Sequence, residues 1–321
     1  KDKVAQQEVA PMKETDTQVI YSGKNFKAVF DKKSGLLVSY QYNGTEYILN
    51  GQGLHPNFWR APIDNDYGAG LARKLGVWKE ASYQDITAAS FNARNGEVTC
   101  TYQFPQTDAT WDITYKIYTN GVIKVDNRFV AANEKTPMIP RIGLRMQMPE
   151  TFTTLTYYGR GPEENYRDRR TSQFFGEYST PIKKMYEPYI RPQENNHRTD
   201  IYWCALTNKS GAGLLLVADR TFEMNASNYP LETLDSGDDL HNAAPRTAET
   251  DHRHLTDPKP EKMVDLFIDY RMMGVGGDNS WGALAHEPYL IRTGAQNAVE
   301  YGFTLVPFGR KTDFRNLIYQ Y

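Results

Sequence analysis

Val98-Thr99-Cys100-Thr101-Tyr102-Gln103-Phe104, then Trp111-Asp112-Ile113-Thr114-Tyr115-Lys116-Ile117, then Ile123-Lys124-Val125-Asp126-Asn127-Arg128-Phe129, place an apolar or aromatic side chain at nearly every second position. Period two marks strands with one buried and one wet face, and Asn120-Gly121 supplies a tight turn between the second and third runs. The pattern fills Asp85 to Met148 and makes the chain an antiparallel all-β protein. Within it Arg141, Gly143 and Arg145 alternate with Ile142, Leu144 and Met146, which sends two arginines to one face. That face is either solvated or a polar cleft on a concave sheet.

Working outward toward the N-terminus, Phe26, Ala28 and Phe30 alternate, Asp31 to Gly35 turns, and Leu36, Val38, Tyr40 and Tyr42 alternate again. Asn43-Gly44 then turns the chain toward Glu46-Tyr47-Ile48-Leu49. Residues 1–16 lack periodicity and read as a linker or frayed tail, polar and without a signal-peptide core, ahead of 17–321, whose length suits one large all-β domain or two smaller ones. Gly51 to Gly70 is too rich in Gly, Pro and Asn for regular structure, and a short helix follows around Gly70 to Ser82. Toward the C-terminus, Ile201 to Leu206 and Gly213 to Val217 read as a strand pair, Val264 to Tyr270 as a strand, and Tyr289 to Ile291 and Tyr301 to Val306 as two more. The last of these is expected to close a sheet.

Composition narrows the function. Lys+Arg 37 against Asp+Glu 39 in 321 residues leaves a formal charge of −2 and no basic block, which argues against nucleic acid and an anionic membrane as main partners. No apolar run approaches the length of a membrane span. Cys100 and Cys204 are too few for a disulfide framework or a metal cluster and read as buried free thiols. Aromatic residues make up 13%, which suits both many short strands and a carbohydrate-handling surface.

Several clusters offer chemistry. Gly274-Val275-Gly276-Gly277-Asp278-Asn279-Ser280-Trp281 reads as an ordered loop: its glycines permit positive φ or very tight packing, and Asp-Asn-Ser can bond their own main chain. Trp281 is then either a plug that closes a core or a platform for a sugar ring; from the residues alone the plug leads, because most Trp is largely buried. Arg60 with Asp64 and Asp66 pins a loop by charge-assisted bonds, or Asp64, Asn65 and Asp66 hold a hard cation; Asx turns are the commoner use. Glu163, Glu164 and Asp168 lie among Arg160, Arg167, Arg169 and Arg170 and read as an ion-paired loop. Glycosidic hydrolysis needs two carboxylates on opposite sides of the anomeric carbon, about 5 to 9.5 Å apart. Glu194 and His197 are the best acid–base pair on offer, able to move a proton on and off a sugar hydroxyl if a cleft brings them together. His252 and His254 share one strand face, as metal ligands do, but without a third ligand nearby they read as hydrogen-bonded core histidines.

Four of these stretches carry a resemblance. Arg60-Ala61-Pro62-Ile63-Asp64-Asn65-Asp66, Tyr158-Gly159-Arg160-Gly161-Pro162-Glu163-Glu164-Asn165-Tyr166, Asp251-His252-Arg253-His254-Leu255 and the Gly274 to Trp281 loop occur in the order found in the C-terminal domain of the large β-galactosidases of glycoside hydrolase family 2. From about Thr17 onward the chain resembles that fifth domain, which implies a single domain over 17–321 with 1–16 belonging to the junction with a preceding domain. The resemblance implies an antiparallel super-sandwich similar in fold to galactose mutarotase. It also implies a parent enzyme that hydrolyses terminal β-D-galactosides with retention, through two glutamates in a barrel domain outside this chain. By the same implication Trp281 reaches the barrel's active site as an aromatic wall, which reverses the plug reading. No other residue here matches a catalytic or metal-binding position of the family. Magnesium and sodium, which such enzymes use, would belong to other domains, and no cofactor is expected in this chain. The implied partners are the galactoside, the barrel domain and, for the full enzyme, further subunits. Two alternatives stand beside this reading: a carbohydrate-binding module using the concave sheet, and an aldose 1-epimerase-like activity using Glu194 and His197.

Overall fold

The alternating runs fold as strands. The computed structural model describes residues 7–132, 138–235 and 254–321, and all strand pairing among them is antiparallel, in two sheets. The smaller sheet takes β1 (Met12–Glu14), β2 (Gln18–Ser22), β3 (Phe26–Asp31), β4 (Leu37–Tyr42) and β5 (Thr45–Glu46) in chain order. Asn43 and Gly44, at φ 48° and 76°, make the left-handed turn between β4 and β5 that Asn-Gly favours.

The larger sheet is built from β6 (His55–Asn57), β7 (Ser90–Arg94), β8 (Glu97–Phe104), β9 (Ala109–Ile117), β10 (Ile123–Ala131), β11 (Arg141–Pro149), β12 (Phe152–Gly161), β13 (Phe174–Pro181), β14 (Arg198–Asn208), β15 (Gly213–Ser227), β16 (Met263–Met272) and β17 (Val299–Phe308). Its main path runs β13-β12-β14-β15-β17-β10-β9-β8-β7, with β16, β11 and β6 branching from β15. The branch arises because β15 is long: Gly213 to Ala218 pair with β17, whereas Glu223 to Ser227 pair with β16.

The smaller sheet lies over the larger one. Phe30 meets Tyr115 edge-on at 5.0 Å, Tyr40 donates its hydroxyl to the Gly121 carbonyl, and Tyr47 donates to that of Gly213. Between the branches Phe58 packs on Trp78, Phe104, Trp111 and Phe129 at centroid distances of 5.0 to 5.8 Å. Each such ring contributes about 1.5 to 3 kcal/mol by leaving water. Cys100 and Cys204 are buried free thiols, as expected.

Five expectations need correction. The stretch 1–16 is not all tail: Met12–Glu14 pairs with β2, and Ala10 is fully buried. Gly51 to Gly70 contains β6 and the short helix α1 (Asp64–Gly68), held by tertiary bonds that a composition reading does not see. The expected helix after it is real but broken into α2 (Leu71–Lys74) and α3 (Gly76–Tyr83). Tyr289 to Ile291 is not a strand: Glu287–Tyr289 forms one 3-10 turn. β17 lies inside the sheet between β15 and β10 instead of closing it, and a short helix, α5 (Arg315–Ile318), follows the α4 turn (Leu231–Leu234) in chain order.

The two arginines of β11 are buried, not solvated, and of the two only Arg145 lines a polar cleft, beside His55 and Glu232. Arg141 is fully buried and binds Asp269 through Nε at 2.9 Å and Nη2 at 2.8 Å. Arg145 forks onto Asp265 at 2.7 and 2.8 Å and onto Glu232 at 2.6 and 2.7 Å. Paired carboxylates on the neighbouring β16 make burial of these charges tolerable.

Candidate functional site

Two of the four quoted stretches, Arg60 to Asp66 and Gly274 to Trp281, meet at the end of β16, joined by Asp168 from just beyond a third. The Arg60 guanidinium, buried, is gripped by Asp66 through Nε at 3.0 Å and Nη2 at 2.9 Å. Its remaining donors bond the carbonyls of Met273 at 2.7 Å and Gly274 at 3.2 Å, fixing where the loop leaves the sheet. Asp66 is therefore spent on Arg60, and exposed Asp64 lies 3.8 Å from Arg191, so the first stretch acts as a brace.

Asp168 reaches in from the charged segment after β12 and accepts the amides of Val275 at 3.1 Å and Gly276 at 2.7 Å. The glycines serve close approach, not positive φ. A Cβ on Gly274 would lie 2.4 Å from Asp168 Oδ2, and one on Gly277 would lie 2.3 Å from the Ala283 carbonyl oxygen. From α1, Asn65 donates to the Asn279 carbonyl at 2.9 Å and accepts the Gly282 amide at 3.1 Å. Asn279 closes the turn by accepting the amides of Trp281 at 3.1 Å and Ala283 at 3.0 Å, the side-chain-to-backbone bonding that Asn was expected to make.

The consequence is an exposed indole on a pinned backbone. Trp281 is 76% exposed, so the plug reading from the residues alone is overturned. Its Nε1 bonds no described residue. No local pattern marks Asn65 and Asp168 as braces, because their partners lie more than a hundred residues away.

The charged segment is otherwise an ion-paired loop, as expected. Glu164 accepts from Arg169 at 2.5 Å, the Tyr189 hydroxyl and the Asn196 amide, and Asp200 accepts from Arg160 and Arg170. Glu163 stays exposed.

Glu194 and His197 are both buried, and each faces a different partner. His197 Nε2 lies 2.8 Å from Glu223 Oε2, with its ring stacked on Tyr166, while Glu194 lies 3.6 Å from Arg141. Arg141 also holds Asp269, whose carboxyl burial pushes up to about 6 against the pull of that guanidinium. This is a polar network in the core, sealed from a substrate: Glu194 is 4% and His197 0% exposed. The histidine pair fares differently again. His252 lies outside the described residues, and His254 is exposed beside Asp257 instead of buried in a core.

Comparison with known proteins identifies the family of the chain. The family model described as beta galactosidase small chain matches residues 22–305. The β-galactosidase of Priestia megaterium is 34% identical over 289 residues, covering 89% of this chain and 26% of that protein. That of Streptococcus thermophilus is 30% identical over 287 residues, covering 87% and 26%. The chain thus spans about a quarter of the length of the curated relatives it matches. Among solved structures, a GalM/aldose epimerase homologue from C. elegans aligns with a TM-score of 0.47 at 9% identity, over 88% of this chain and 96% of its own. A galactose 1-epimerase from Lactobacillus acidophilus aligns at 0.45 and 5%, over 94% and 98%. With a family model covering most of its length, the chain belongs to the beta galactosidase small chain family.

Proposed function

We propose that this chain is a non-catalytic domain of a parent β-galactosidase and forms one wall of its active site with the indole of Trp281. The carboxylates that cleave the bond would sit in a barrel domain of the parent, docked against the Trp281 loop, and this chain would hold no cofactor. The observation that carries the reading is an indole 76% exposed on a loop braced by Arg60, Asn65 and Asp168. An exposed Trp on a mobile loop would lose much of its stacking energy to ordering; here the backbone is already ordered. An indole face matches the apolar C–H face of a galactose ring, and such stacking is worth about 1 kcal/mol, roughly a fivefold effect on binding.

Steady-state kinetics of the full-length enzyme test this. Trp281→Ala should raise KM for lactose several-fold with a smaller change in kcat, and Trp281→Phe should recover part of the loss. Unchanged KM for both lactose and an aryl galactoside would refute it, and so would galactoside hydrolysis by the purified chain alone.

A further inference from the structure

The fork in β15 leaves Asp219, Arg220 and Thr221 paired with neither β16 nor β17. A cleft of about 680 Å³ opens there, lined also by Asn127, Tyr270, Arg271 and Tyr301. We propose that this cleft binds a saccharide bearing an oxyanion, a site separate from the Trp281 loop.

The charge arithmetic of the lining points to an anion. Its acids are already engaged: Asp126 and Asp219 share the Lys124 ammonium at 2.7 and 2.8 Å, and Glu300 lies 3.8 Å from Arg128. Arg167 spends one nitrogen on Glu223 at 3.3 Å. Arg220 and Arg271 face no carboxylate among the described residues, and both line the cleft. A guanidinium at a cleft with no carboxylate beside it offers a planar fork of donors, and an oxyanion is the ligand whose geometry matches that fork.

The rest of the lining suits a sugar more than a bare ion. Tyr270 and Tyr301 stand 6.0 Å apart and give the floor an aromatic side, while Asn127, Thr114 and Thr221 offer neutral groups matched to hydroxyls. The volume lies within the range of pockets that enclose small organic ligands, and inorganic phosphate would leave most of it empty.

Calorimetric titration of the chain with galacturonate, galactose 6-phosphate, galactose, acetate and inorganic phosphate tests the proposal. One or both acidic sugars should bind at least about tenfold more tightly than galactose and than the matching bare anion, as paired recognition requires. Arg271→Gln and, separately, Arg220→Gln should each weaken that binding several-fold, whereas Trp281→Ala should leave it unchanged. If one arginine variant fails to fold, the other carries the test. No heat from either acidic sugar at millimolar concentration overturns the proposal. Bare anions binding as tightly as the sugars, binding that survives both arginine substitutions, or binding lost in Trp281→Ala would do the same.

Discussion

Asp168 clasps Gly276: its Oδ2 accepts the Gly276 amide at 2.7 Å while its other oxygen takes that of Val275 at 3.1 Å. The arginines on either side of it pair elsewhere, Arg167 with Glu223 and Arg169 with Glu164, so this carboxylate is left for the loop. Asp168→Ala should free both amides and loosen the segment that carries Trp281. Hydrogen exchange at Val275 and Gly276 should quicken by at least about tenfold, with global stability falling by about 1 to 2 kcal/mol, since charged-acceptor bonds are worth about 1.5 to 3 when dry and less at a partly wet site. In the full-length enzyme KM should move in the same direction as for Trp281→Ala. Exchange rates unaltered by the substitution would mean that the loop is held by something else.

Gly68 presses on the other side of the same loop. It belongs to α1, and Gly-to-Ala within a helix ordinarily gains about 0.5 to 1 kcal/mol. Here the added Cβ would fall 2.4 Å from the Trp281 carbonyl oxygen and 2.8 Å from the Cα of Gly282. Backbone cannot yield as a flexible side chain does, so overpacking should cost about 1 to 3 kcal/mol and displace the indole. Urea unfolding of Gly68→Ala should show the loss, and KM of the full-length variant should rise. A gain in stability would show that the helix and loop slide apart without penalty.

These contacts explain which parts of the molecule could be read from its sequence. Period two was legible wherever one face is buried: Val98, Cys100, Tyr102 and Phe104 all point inward from β8. It was silent for β13, which has only β12 beside it and presents Phe174 and Phe175 to solvent, so no buried face imposes alternation. The burial of Arg141 and Arg145 is not legible because a charged residue implies water until its partner is known, and Asp269 and Asp265 lie 128 and 120 residues further on. The Trp281 loop was recognisable as ordered from its Asn and Gly content. Its exposure was not, because burial of an indole depends on what packs over it and not on its neighbours in sequence.

The buried ion pair of β11 and β16 permits a quantitative comparison. Arg145 is bonded to two carboxylates, but Asp265 is fully buried whereas the Glu232 side chain is half exposed. Asp265 Oδ2 also accepts the Leu231 amide at 3.0 Å, tying α4 to the sheet. Removing a buried partner strands its opposite charge, so Asp265→Ala should cost about 3 to 5 kcal/mol. Glu232→Ala should cost about 1 kcal/mol or less, because water can replace much of what it provides. Urea denaturation of the two variants decides between this ordering and an equal sharing of the Arg145 charge.

Acid stability should depend on His55, at the start of β6. Burial pushes its pKa down to about 4, the Arg145 charge adds to the depression, and the Gly53 carbonyl, 3.1 Å from Nδ1, works against both. The folded chain therefore keeps this imidazole neutral across a range in which the unfolded chain, with a pKa near 6.5, takes up a proton. Protons bound preferentially by the unfolded state lower stability as pH falls. The contribution is thus complete above about pH 6.5, declines through the interval down to about 4, and amounts to at most about 3 kcal/mol. An NMR titration should find the His55 midpoint well below the ordinary histidine value of about 6.5, and His55→Gln should flatten the fall in unfolding free energy between pH 6.5 and 4. A His55 midpoint near 6.5, or an unaltered slope in the variant, would show that water reaches the ring and that the Arg145 charge is neutralised by Asp265 and Glu232 before it acts on its neighbour.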